Sequence, residues 1–259
     1  MSTLASQLEH CMLCGAELTY LSRAEDLTCS RCGVGFRGHV KCPEGHVLCD
    51  ACHGREARKV VEEMVLAEQG TDPAEIAERL LAHPSLPMLS CDHAYVAAGA
   101  LLAALRNSPY HWGTAEDMRE VFERTAKQAH GGYCALTGVC GIVPALGAVL
   151  SVFLGARCGS DREQAFVMDA TTRVSRAIAD LTGPSCCKAY VRAAIRIAVD
   201  VFAERLAITL PLSPAPIVCS HADRHPQVCR EERCPYFRRP SKDIFAESGF
   251  IPGMSACVT

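Results

Sequence analysis

The chain has 259 residues, a formal charge of −3 and 21% charged residues, which suits one large domain or a small module followed by a domain of about 200 residues. No global basic field marks a nucleic-acid binder, and aromatics at 6% with a single Trp leave little for base stacking. The 17 cysteines call for a disulfide framework in a secreted chain or for metal in a reducing compartment.

Residues 1–20 lack the basic start and apolar run of a secretory signal, so a cytoplasmic setting and metal binding are the expectation. Residues 1–54 are dense in Cys, Gly and short polar segments, and form the first expected domain. Within them 16–22 and 34–40 are predicted as short strands of metal-held hairpins. Four ligand pairs occur: Cys11-x2-Cys14, Cys29-x2-Cys32, Cys42-x3-His46 and Cys49-x2-Cys52. A CxxC turn wraps the backbone around one ion, and Gly15 and Gly33 supply the positive φ that such knuckles favour. Eight ligands are what two tetrahedral zinc ions need. A sequential grouping gives one ion to Cys11, Cys14, Cys29 and Cys32 and the other to the 42–52 cluster; an interleaved grouping is the alternative. His10, His39 and His53 lie close by and read as surface residues.

From Arg55 to residue 259 the texture is that of an all-α domain. In 55–70, Val60, Val61, Met64, Val65 and Leu66 fall on one side, and Gly70 supplies a stop. Asp72 and Pro73 open a helix over 73–83 as N-cap and first turn. Further helices are predicted at 91–106, 115–129, 141–156, 161–181 and 185–207. The run 141–156 is the most apolar, but it is short of the ~20 residues a membrane span needs and contains Pro144. The Pro-rich segment 208–226 is predicted to be irregular, and the tail after it to hold a short helix at most.

This second domain carries its own thiols. Cys158 and Cys257 read as small hydrophobes. The others stand in special contexts. Cys134 and Cys140 flank a Gly-rich turn before an apolar helix, Cys186 and Cys187 open another helix, and Cys91 with His93 opens a third. At helix starts the dipole is expected to lower a thiol pKa, and the three starts are expected to converge on one buried centre. An iron–sulfur cluster, with thiolates and an occasional His, fits that expectation, whereas vicinal Cys186–Cys187 suits a dithiol poorly. Cys219, Cys229 and Cys234 form a late set that either joins this centre or folds its own loop around a metal.

Three resemblances add to this reading. The run Cys29-x2-Cys32-x9-Cys42-x3-His46-x2-Cys49-x2-Cys52 resembles the first six ligands of a RING-type cross-brace. That likeness implies Cys29, Cys32, Cys49 and Cys52 in one site, leaving Cys42 and His46 to pair with Cys11 and Cys14. The RING family's last CxxC is missing after Cys52, with the equivalent pair upstream, so ubiquitin-ligase activity is not implied. Cys134, Ala135 and Gly138 resemble the core of the redox family named C-GCAxxG-C-C, with Tyr133 in place of the leading glycine. That likeness implies flanking ligands at Cys91 and at Cys186 or Cys187. The whole layout is similar to the cysteine-rich prokaryotic domain of unknown function 5714, a resemblance that implies metal or cluster binding beside radical-SAM or methyltransferase partners.

The favoured expectation is a metal-binding protein with two structural zinc ions and an iron–sulfur cluster acting in redox chemistry, sulfur handling or cofactor maturation. The alternatives are a zinc-finger adaptor with an inert helical body, or a thiolate enzyme in which Cys134 or Cys140 attacks with His93 or His130 as base.

Overall fold

The structure, a computed structural model, describes residues 10–11, 13–181 and 184–238; Cys257 and most of the tail lie outside the described residues. The fold is mainly helical, with a small cysteine-rich hairpin at the N-terminal end. Strands β1 (Thr19–Thr28) and β2 (Gly35–Lys41) pair antiparallel from Thr19↔Lys41 to Thr28↔Gly35, with a register shift between Tyr20 and Glu25. The first strand runs six residues beyond the expected end, through the polar stretch Arg23–Asp26. Both of its faces are largely exposed, so polar residues cost nothing there and the strand continues to the turn.

A lone two-stranded hairpin is marginal in water. This one has ligand knuckles at both ends. Cys29 to Cys32 form the turn between the strands, with the Cys29 N–H donating to Val34 O at 2.9 Å. At the open end, the Cys11–Cys14 knuckle precedes β1 and Cys42 directly follows β2. The chain then doubles back, and the Val47 N–H reaches Ser30 Oγ at 3.0 Å while the Ser30 N–H reaches Val47 O at 2.8 Å.

Helices follow in the expected order. α1 (Asp50–His53) leads into α2 (Arg55–Ala67), α3 (Pro73–Leu81), α4 (His93–Asn107) and α5 (Ala115–Ala126). Then come the short α6 (Tyr133–Thr137), α7 (Ile142–Leu154), α8 (Asp161–Asp180) and α9 (Cys187–Leu206). Asp72 caps α3 by accepting from the N–H groups of Ala74 and Glu75 at 2.7 and 3.2 Å. The five-residue α6 lies where sequence showed only a Gly-rich turn.

α4 is the central post, with α2, α3, α5, α7 and α9 packed around it. Its residues 93–105 are all buried, which its Ala-rich sequence permits by keeping neighbouring backbones close. α9 is nearly as enclosed, and α8 lays a narrow apolar stripe on α7 and α9. One continuous apolar cluster unites α2 to α5 and α7 to α9, separate from the small cluster of Cys29, Cys49, Cys52, Phe36 and Leu48 under the hairpin. No helix among the described residues is long and apolar enough to cross a membrane. Residues 208–226 are irregular apart from one 3₁₀ turn at Ala222–Arg224.

Candidate metal centres

The eight N-terminal donors gather into two sets. Cys11, Cys14, Cys42 and His46 form one, and Cys29, Cys32, Cys49 and Cys52 the other, with the ligand atoms of each set within 4.8 Å of one another. The grouping is crossed, because each end of the hairpin joins its own knuckle to half of the 42–52 stretch. Cys14 and Cys42 Sγ stand 3.5 Å apart and Cys32 and Cys49 Sγ 3.7 Å apart. A tetrahedral ion with ~2.3 Å bonds to sulfur requires about this separation.

Local backbone builds each set. Gly15 and Gly33 take φ of +75° and +73°, and their N–H groups close turns onto Cys11 O and Cys29 O at 2.8 and 2.9 Å. Two residues past a ligand, Leu13 and Glu44 each point an N–H at Cys11 Sγ and Cys42 Sγ, both at 3.4 Å. Such N–H···S contacts stabilise thiolate over thiol. Cys49 and Cys52 ride on the start of α1. In the first set the buried Nδ1 of His46 has no hydrogen-bond partner, which fits a nitrogen whose lone pair faces an ion. Both sets are fit to bind a metal ion.

The thiols of the helical domain are arranged differently. Cys91, Cys140 and Cys186 sit just before α4, α7 and α9, Cys187 is the first residue of α9, and Cys134 lies in α6. At Cys91, Cys140, Cys186 and Cys187 the expected lowering of the pKa by helix dipoles is not what the structure shows. Burial pushes the thiol of Cys91 up to about 12 and that of Cys140 up to about 11, and it raises Cys186 and Cys187 as well. Desolvation of a buried thiolate outweighs the half-charge at a helix end. His93 is 1% exposed; its Nδ1 bonds Ser90 O at 3.0 Å and its Nε2 is unpartnered. Burial and the neighbouring Lys188 hold its pKa down at about 3.

Four of these thiols share one pocket, and the others do not line it. Cys186, Cys219, Cys229 and Cys234 line one pocket together with Arg192 and Arg230. Cys187, one residue on, is raised by burial, by Cys140, by its neighbour Cys186 and by Cys134, and lowered by the Ser90 backbone. Neither Cys134, Cys140, Cys187 nor Cys91 lines the pocket. No third group of three thiols, imidazoles or carboxylates lies within 4.8 Å of one another among the described residues.

Three basic residues surround the pocket region, of which Arg192 and Arg230 were missed in the sequence. Lys188, 2% exposed, donates from Nζ to Leu81 O at the end of α3 at 2.9 Å. Arg192 pairs with both oxygens of Glu78 at 2.7 and 2.8 Å. Arg230, 4% exposed, donates to Leu181 O at 2.7 Å and to Pro184 O, and its Nε is unpartnered. The one sequence signal is that Lys188 and Arg192 fall on the apolar face of α9, at the four-residue spacing that puts them on one side of a helix.

The helical domain also touches the hairpin module. Arg58 of α2 donates to Asp50 O and Ala51 O at 2.6 and 2.9 Å, and its Nε stands 3.7 Å from the buried Asp92. Asp50 in turn accepts from the Gly131 N–H at 3.2 Å and pairs with His130 at 3.5 Å.

A family of unknown function, DUF5714, matches residues 61–237, more than half of the chain. The chain therefore belongs to that family. The matched span contains every helical-domain thiol from Cys91 to Cys234 and none of the eight N-terminal donors. Among curated proteins and among solved structures nothing matches the chain.

Proposed function

We propose that each N-terminal donor set holds a structural zinc ion and that the helical domain holds an iron–sulfur cluster serving electron transfer, sulfur handling or cofactor maturation. The observation that carries the zinc assignment is the pair of closed four-donor sets, one of three thiols and an imidazole and one of four thiols. Each is compact enough for one tetrahedral ion, with no position left for substrate. The cluster assignment is supported by one buried and three half-buried thiols beside buried cations, in a domain whose apolar core is already continuous and needs no staple. The family resemblance supports a protein partner of the radical-SAM or methyltransferase type.

The same observations disfavour a thiolate enzyme built on Cys140 and His93. Burial holds that thiol protonated and that imidazole neutral at working pH, and the imidazole is engaged with its own backbone.

Quantifying zinc, iron and acid-labile sulfide on anaerobically purified chain tests both halves. Two zinc and about four iron per chain are expected, with the broad visible absorption of iron–thiolate bonds. Colourless protein carrying zinc alone overturns the cluster, and protein without zinc overturns the structural sites. Calorimetric titration with a candidate partner, before and after iron loading, checks the last part. Identical absence of binding in both states removes the partner proposal.

A further inference from the structure

We infer that Cys186, Cys219, Cys229 and Cys234 are the four ligands of the iron–sulfur centre, with Arg230 as its buried counter-charge, and that Cys134, Cys140 and Cys187 lie outside it. The inference rests on the cluster reading above and narrows it to one pocket.

The thiols enter this pocket from three separate segments. Cys186 is the N-cap of α9, Cys219 lies on the irregular strand after it, and Cys229 and Cys234 flank a 3₁₀ turn at Glu231–Arg233. The Cys219 N–H donates to Tyr236 O at 2.7 Å, and residues 219 and 237 form a β-bridge that ties the two irregular segments together.

Two of the sulfurs have a backbone donor. The His221 N–H points at Cys219 Sγ at 3.3 Å and the Glu231 N–H at Cys229 Sγ at 3.4 Å. Both come from the residue two positions on, the arrangement already seen at Cys11 and Cys42 in the N-terminal donor sets. Val228 and Glu231 hold φ of +64° and +50° around Cys229, a backbone cost that a β-branched residue does not meet without cause.

Width separates this pocket from the zinc sites. No three of its sulfurs lie within 4.8 Å of one another, so one tetrahedral ion does not reach them all. Four thiolates set farther apart are what a polynuclear cluster takes, because each thiolate binds a different iron. Charge agrees. Arg230 is buried with no carboxylate paired to it among the described residues, and its Nε is left without a partner beside the pocket. A buried guanidinium in that position is costly unless an anion answers it, and a cluster held by four thiolates is a net anion.

The test is anaerobic reconstitution of the full chain with ferrous iron and sulfide, followed by iron and sulfide analysis and far-UV circular dichroism. Wild-type chain is expected to take up about four iron. Cys229→Ala and Cys234→Ala are expected to lose most of that iron with helical content intact, while Cys134→Ala, Cys140→Ala and Cys187→Ala keep it. Wild-type chain that takes up no iron defeats the cluster reading itself. Iron that survives in C229A and C234A but is lost in C134A or C187A leaves the reading standing and overturns the ligand assignment, as does loss from both groups with the helices intact. If an alanine variant unfolds, Cys229→Ser decides. A retained cluster with an altered electron-paramagnetic-resonance spectrum supports ligation, and an unaltered spectrum opposes it. Arg230→Met provides an independent check, since removing a cation beside an anionic cluster makes its reduction potential more negative, and an unchanged potential removes Arg230 from the site.

Discussion

Glu68 shows how much a single half-buried carboxylate is asked to do between two helices. It accepts from the N–H groups of Gln69 and Gly70 at 2.9 and 2.8 Å and pairs with Arg79 at 3.0 Å. Partial burial pulls its carboxyl upward, but Arg79 and the two N–H groups outweigh that and hold it below its ordinary range. A carboxyl lowered on folding adds stability that is present in full above the unfolded value and fades as the pH falls through the lower folded one. Glu68→Gln is therefore expected to cost about 1 kcal/mol at neutral pH, from the loss of charge-assisted bonds. The gap between wild type and variant should close in denaturant melts below the carboxylate range, and a gap that stays constant with pH contradicts the account. Residue-scale features of this kind were partly legible. The CxxC pairs and the Gly15 and Gly33 turns can be read from spacing alone. Arg230 could not, because nothing in an irregular Arg-rich stretch says which of its cations turns inward. Likewise, Cys186 and Cys187 are indistinguishable in sequence, and only the rotation between consecutive residues at the start of α9 sends them to different places.

At the scale of elements, helices α2 to α5 and α7 to α9 were legible because each carries a 3.6-residue pattern or an all-apolar run bounded by Gly, Pro or a capping residue. α6 was not, since five residues between two positive-φ glycines are too few to show a period. The crossed grouping of the N-terminal donors was legible through the likeness of their spacing to a RING-type cross-brace, although its cause was not. It depends on the hairpin bringing Cys11 and Cys42 to one end and Cys29 to the other, a property of pairing rather than of any single stretch. The packing of α9 yields a direct prediction. Phe202 is fully buried and meets Phe153 edge-on at 5.3 Å, in a ring contact that continues to Trp112 at 4.9 Å. Phe202→Ala should lower stability by about 3–5 kcal/mol in denaturant unfolding, because the rigid surroundings cannot close the void. A loss below about 1 kcal/mol would show that α7 and α9 repack freely.

At the scale of the whole molecule, two clusters of very different size hold the chain. The helical core is one continuous apolar mass, whereas the hairpin rests on three cysteines, Phe36 and Leu48. A strong chelator is therefore expected to release residues 11–52 while leaving α3 to α9 folded. Hydrogen exchange should accelerate across the hairpin with little loss of helical circular dichroism. Concerted collapse of both parts would contradict that division. The junction between them has one more implication. Asp50 stands between the ligands Cys49 and Cys52 and also holds the N–H of Gly131, three residues before Cys134. Whatever steadies α1 thus steadies that loop. With metal loaded on Cys29, Cys32, Cys49 and Cys52, a ligand or partner that engages residues 130–138 is by reciprocity expected to slow the metal's release to a chelator.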